Sequence, residues 1–153
     1  MRLLFKQRLF SWFHSYHIYG EDGGVLFTVK GKLSWGHCFH ILNAAGAHIG
    51  TVQQKTGTLM PQFELYAYGD YLGCIKQKFT LLTPRFSFDC SDWEVEGNWR
   101  ERDYSIVSPR LGLVAAVGRV MLQMAETYAI EVPDADNALC VLMAVLAIDA
   151  AKC

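Results

Sequence analysis

The chain has 153 residues, 52% of them hydrophobic and 19% charged, with a formal net charge of −1. That length gives one domain a full hydrophobic core without disulfides or metals, and the near-neutral charge excludes a general nucleic-acid binder, which carries a clear basic excess. The five cysteines, Cys38, Cys74, Cys90, Cys140 and Cys153, are odd in number and contain no Cys-x-x-Cys pair, so they read as reduced thiols of a cytoplasmic protein.

At the N-terminus Arg2, Lys6 and Arg8 are followed by an apolar stretch that polar residues keep interrupting, with no small-residue cleavage site; a secretory leader is not expected. The segment Ser11-Trp12-Phe13-His14-Ser15-Tyr16-His17-Ile18 then returns as Ser34-Trp35-Gly36-His37-Cys38-Phe39-His40-Ile41, an offset of 23. The same offset carries Thr28-Val29 onto Thr51-Val52, Gly50 onto Gly73, Lys55 onto Lys78, and Pro61 with Phe63 onto Pro84 with Phe86. Such a repeat must be recognised before a fold is assigned, and a unit of about 23 residues holds two strands and two turns, which is a hairpin.

Alternation and turn chemistry place strands at Leu3–Arg8, His14–Tyr19, Val25–Lys32, Cys38–Asn43, His48–Lys55, Gln62–Tyr68, Tyr71–Phe79, Arg85–Cys90, Trp93–Gly97, Asp103–Val107, Leu113–Arg119 and Tyr128–Val132. The separating turns are Glu21-Asp22-Gly23-Gly24, Asn43-Ala44-Ala45-Gly46, Gly69-Asp70 and Ser108-Pro109-Arg110. The run Val120 to Met124 lacks the Ser-Trp signature.

The chain then changes character. Ala138 to Ile148 is an almost unbroken apolar run, opened by Asp134 and Asp136 and closed by Asp149 and Lys152. The opening acids suit the positive end of a helix and its free N–H groups. A helix apolar on every side must be buried on every side, and this run is too short to span a bilayer. Twelve strands close into a barrel of radius roughly 12 Å, wide enough for one helix and a single layer of inward side chains. The expected architecture is therefore one domain over residues 1–153: a closed barrel of about twelve strands over 1–132 around a central helix over about 134–151.

The stretches Leu4-Phe5-Lys6-Gln7-Arg8-Leu9-Phe10-Ser11-Trp12, Ile75-Lys76-Gln77-Lys78-Phe79, Asp92-Trp93-Glu94-Val95-Glu96-Gly97 with Asp103-Tyr104-Ser105-Ile106, and Val145-Leu146-Ala147-Ile148-Asp149 resemble the LURP-one-related family, over essentially the whole chain. That family is similar to the tubby C-terminal domains and the phospholipid scramblases. The resemblance implies a twelve-stranded barrel around a hydrophobic C-terminal helix, and supplies no catalytic motif. For function it implies only association: tubby domains bind phosphoinositides through basic residues, and scramblases are linked to lipid movement. This chain departs from the family near Val120 to Met124, where a second lysine and another Ser-Trp turn belong.

The repeat sets Lys6 and Arg8, Lys30 and Lys32, Gln53 and Lys55, and Lys76 and Lys78 at corresponding places on alternate strands. Because the interior must accept an apolar helix, these charges are expected outside as a basic band, able to meet anionic headgroups or simply to keep the wall soluble. Curvature would let about two of these pairs touch a flat membrane. The histidine pairs His14/His17 and His37/His40 stand three apart, on opposite faces of a strand, so neither chelates readily; no metal or other cofactor is expected. Cys38 and Cys90 lack the flanking motif of a nucleophile, and Glu94 and Glu96 read as a solvated strand face. Trp12 and Trp35, at their turns, are expected to cap the core or reach a membrane interface.

The leading expectation is a non-enzymatic binding or scaffold module, partnered by a phosphoinositide-bearing or other anionic phospholipid surface or by a protein, with no nucleic acid and no transmembrane segment. It is expected in the cytoplasm or at the membrane periphery. The alternatives are a barrel that holds an apolar small molecule and, behind it, a thiol-dependent hydrolase around Cys38.

Overall fold

The computed structural model describes residues 1–6, 15–32, 34–80, 85–122 and 125–152. Twelve antiparallel strands follow one another in chain order: Arg2–Lys6 (β1), Ser15–Tyr19 (β2), Val25–Gly31 (β3), Cys38–Asn43 (β4), His48–Gln54 (β5), Gln62–Ala67 (β6), Asp70–Lys78 (β7), Arg85–Phe88 (β8), Glu94–Asn98 (β9), Asp103–Ser108 (β10), Gly112–Leu122 (β11) and Ala125–Glu131 (β12). Each matches a strand expected from the sequence, mostly within one or two residues. The clearest difference is the last hairpin, where β11 and β12 run on past the expected limits and pair through to Leu122↔Ala125. The backbone pairing continues there although the Ser-Trp signature does not.

The strands form one sheet in the order β8-β7-β6-β5-β4-β3-β2-β1-β12-β11-β10-β9. Antiparallel pairing of β1 with β12 curls the meander into a barrel, which removes nearly every exposed edge. Closure differs in one detail from the continuous ladder that the repeat implies. No backbone pairing joins β8 to β9, and ring pairs bridge that seam instead: Phe86 meets the Trp99 ring edge-on at 5.0 Å, and Phe88 meets Trp93 at 6.0 Å. The loop between the two strands is tied to both flanks of the seam, since Asp89 accepts from the Cys74 N–H of β7 and Asp92 accepts from the Ser108 hydroxyl of β10.

Helix α1 (Ala138–Ala150) runs through the barrel. A short 3-10 turn (Ala135–Asn137) precedes it, and the Asp134 carboxylate accepts from the Asp136 N–H there; the expected acidic cap thus serves this turn, whereas α1 itself starts without a side-chain cap. Apolar residues lie on all sides of α1, and Val141 through Ala150 are buried against inward residues such as Leu3, Phe5, Ile18, Ile41, Phe63 and Ile106. Gly50 of β5 lets the helix approach, because a Cβ there would stand 3.2 Å from Leu139 and 3.5 Å from Met143. Among the described residues no helix is long and apolar enough to cross a membrane.

Asp149 is the exception inside the barrel. It is 3% exposed, and its carboxylate accepts from Arg102 Nε and Nη2, both at 3.1 Å, with Lys152 Nζ 2.9 Å away. Arg102 follows a 3-10 turn (Trp99–Glu101), takes a left-handed backbone with φ 56°, and lies over the Tyr128 ring at 5.0 Å. Burial works against the Arg102 charge, but the hydrogen bonds and charge of Asp149 carry its pKa above the usual value. Burial and then the Asp149 charge push the Tyr16 and Tyr104 phenols up, so both stay neutral. This latch ties the last turn of α1 to the wall.

Candidate functional site

Strand direction sorts the turns of an up-and-down barrel into two ends. The turns after β3, β5, β7 and β9 lie at the end where α1 leaves, beside Arg102; those after β2, β4, β6, β8 and β10 lie where it enters. Residues at the same phase of a hairpin repeat therefore land at the same end. Lys32, Lys55 and Lys78, each 23 apart, all fall at the exit end, with Lys30 and Lys76 one step down the same strands.

Each of Lys6, Lys30, Lys32, Lys55, Lys76 and Lys78 is exposed, and among the described residues none pairs with a carboxylate. Arg8, Trp12 and His14 lie outside the described residues. The expected band around the wall is thus better described as a basic end: of the described lysines and arginines, only Arg2 and Arg110 sit at the other pole. That pole holds Glu21, Asp22, Asp70, Asp89, Asp134 and Asp136. A net charge of −1 conceals a barrel with poles of opposite sign.

The sharpest local feature is in the β7–β8 hairpin. Lys78 stands directly across from Arg85, and Lys76 from Ser87, so three exposed cations share one outer face. Like charges directly opposed on a sheet are unfavourable; an anion between them would relieve this. Arg85 was not among the expected site residues, and its signal was its place at the far root of the hairpin that Lys78 opens.

Two backbone ties fix the neighbouring tips. The His37 N–H donates to Gln54 Oε1 at 2.9 Å and the Gln54 N–H to the His37 carbonyl at 2.8 Å. Gly36 (φ 86°) and Gly57 (φ 76°) supply left-handed backbone that other residues adopt at a cost. Between these tips lies an open crevice of about 310 Å³ lined by Gln54, Lys55, Thr56, Thr58, Leu59 and Pro61 among others. Trp35 departs from the core-capping expectation: it is 88% exposed.

His40 stacks on His48 at 4.4 Å, and burial first, then the His48 and Lys32 charges, lower its pKa. His17 Nδ1 lies 3.1 Å from the Thr28 hydroxyl. Among the described residues no group of three or more His, Cys, Asp or Glu is gathered to hold a metal ion. Cys38 is buried, and burial pushes its thiol up, the opposite of an activated nucleophile. Glu94 and Glu96 are exposed along β9, on a groove of about 990 Å³ at the β8–β9 seam.

The fold is a near-closed twelve-stranded meander around a hydrophobic helix, with exposed lysines gathered at one end. The LURP-one-related family model matches residues 1–149, and the chain belongs to that family. The X-ray structure of a protein from Arabidopsis thaliana is similar, with a TM-score of 0.66 and 17% identity over 97% of this chain and 89% of that one; at such identity the likeness is one of fold. No curated relative matches the chain.

Proposed function

We propose that this protein is a non-enzymatic module that adsorbs to anionic membrane surfaces through the basic end of its barrel. The observation that carries the reading is the opposed pair Lys78 and Arg85 with Lys76 beside them, continued around the rim by Lys55, Lys32 and Lys30 without acidic partners among the described residues. The tubby domains, to which the LURP-one-related family is similar, bind phosphoinositides through basic residues, which agrees with phosphate as the group recognised. Because these cations ring an end of the barrel, three neighbouring hairpins face a flat surface together, more than a side-on approach would present. An apolar small-molecule site has less support, since α1 occupies the lumen.

Each cation near an anionic surface contributes about 1 kcal/mol. Reversing Lys32, Lys55 and Lys78 to Glu is expected to weaken binding to vesicles containing phosphatidylserine or phosphoinositide by about a hundredfold or more, and added salt should do the same to the unaltered protein. Co-sedimentation across a salt titration measures both. Binding indifferent to salt and to charge reversal would overturn the reading.

A further inference from the structure

Three large apolar side chains stand at three successive hairpins of the basic end, Trp35 and Leu59 within their turns and Phe79 directly after β7. Trp35 is 88% exposed, Leu59 fully so, and Phe79 77%. Singly, an exposed apolar residue needs no explanation. These three share one rim, on the β3–β4, β5–β6 and β7–β8 turns, an arc of about 20 Å at two strand spacings per hairpin. Each has an exposed lysine close by in the chain: Lys32 before Trp35, Lys55 before Leu59, Lys78 beside Phe79.

We propose that Trp35, Leu59 and Phe79 are membrane anchors that enter the headgroup layer of an anionic bilayer while the adjacent lysines hold its phosphates. The inference rests on the function proposed above and adds the partner's second component, an apolar layer beneath the charge. A soluble polyanion offers nothing to bury three apolar tips. A bilayer interface offers both, and amphipathic rings and lysine stems are suited to it. The opposite end supplies the contrast, for its exposed Tyr68, Tyr71, Leu111 and Leu113 share a pole with Asp70, Glu21 and Asp22, which an anionic surface repels. The reciprocal bonds between His37 and Gln54 fasten the first two turns together at their roots.

The test compares the full chain with a triple variant, Trp35→Ala, Leu59→Ala and Phe79→Ala, on vesicles of phosphatidylcholine with a quarter phosphatidylserine. All three side chains are exposed, so an unchanged melting temperature is the control for folding. The variant is expected to bind about tenfold or more weakly and to lose the part of binding that survives high salt, while its affinity for a soluble inositol polyphosphate stays the same. Tryptophan emission of the unaltered protein should be quenched by phosphatidylcholine brominated near the headgroup, and Trp35→Phe should remove that quenching. Full vesicle binding by the triple variant, with Trp35 unquenched, would overturn the anchors and leave the charge reading standing. Failure of the unaltered protein to bind vesicles at all would overturn both, and a wild-type preference for the soluble polyphosphate over vesicles would assign the lysines to a free ligand.

Discussion

At the end where α1 leaves the barrel, Lys32, Lys55 and Lys78 lie near bare apolar side chains with no carboxylate partner among the described residues, and the buried Asp149 carboxylate is neutralised from two sides by Arg102 and Lys152. At the end where α1 enters, acidic side chains are spent on the backbone: Asp22 accepts from the Gly24 N–H, Asp134 from the Asp136 N–H, and Asn43 closes its turn in the same way with the Ala45 and Ala47 N–H groups. The entry end uses these side chains on its own turns, whereas Lys32, Lys55 and Lys78 at the exit end stay exposed. Both are made from the same hairpin, so the difference arises from which phase of the repeat each residue type occupies. Total charge excludes a polyanion-coating protein, yet says nothing about a barrel whose topology sorts its charges by pole.

The comparison can be broken first at the two aspartates that attend the helix. Asp149→Ala leaves Arg102, 14% exposed at its side chain, without its carboxylate, and removing one partner of a buried pair costs about 3–5 kcal/mol. Asp134→Ala at the entry end removes only a turn cap, costing about 1 kcal/mol. Urea unfolding of the two variants is expected to show that ranking; equal losses would mean that the latch contributes no more than a surface cap.

A smaller effect concerns pH. His37 is buried with its ring stacked on Phe39 at 6.0 Å, and burial lowers its pKa, as it does that of His40. In the unfolded chain both take up protons as pH falls through about 6.5, whereas the folded protein resists until lower pH. Stability linked to them is therefore present above that value and declines below it. Melting temperature against pH should fall from about 6.5 downward, and less steeply in His37→Phe; a flat profile would show that neither ring is held neutral by the fold.

Much of the wall was legible because the 23-residue offset, the Gly- and Asn-containing turns and strand alternation all report local geometry. Asp149 and Lys152 were visible as the close of an apolar run. Their partner Arg102 was not, because it lies 47 positions before Asp149 and reaches it only when α1 is threaded and the chain leaves the Trp99 turn in a left-handed conformation. The open seam was hidden for a similar reason: Asp89 to Trp93 reads as an ordinary hairpin connection until Asp89 and Asp92 are seen tied to opposite neighbours. The lysine spacing was legible, and its convergence on one rim required the strand directions. Trp35 was readable as a turn residue, while its exposure was not.

We propose that the protein meets anionic membranes with one end of its barrel. Hydrogen–deuterium exchange with and without anionic vesicles tests it most directly. Protection is expected in the Ser34–Gly36 and Thr56–Leu59 tips and at the root of the β7–β8 hairpin, with the turns at Asp22–Gly24 and Ala44–Ala47 unchanged. Protection of those acidic-end turns, or of the wall without the tips, would contradict it.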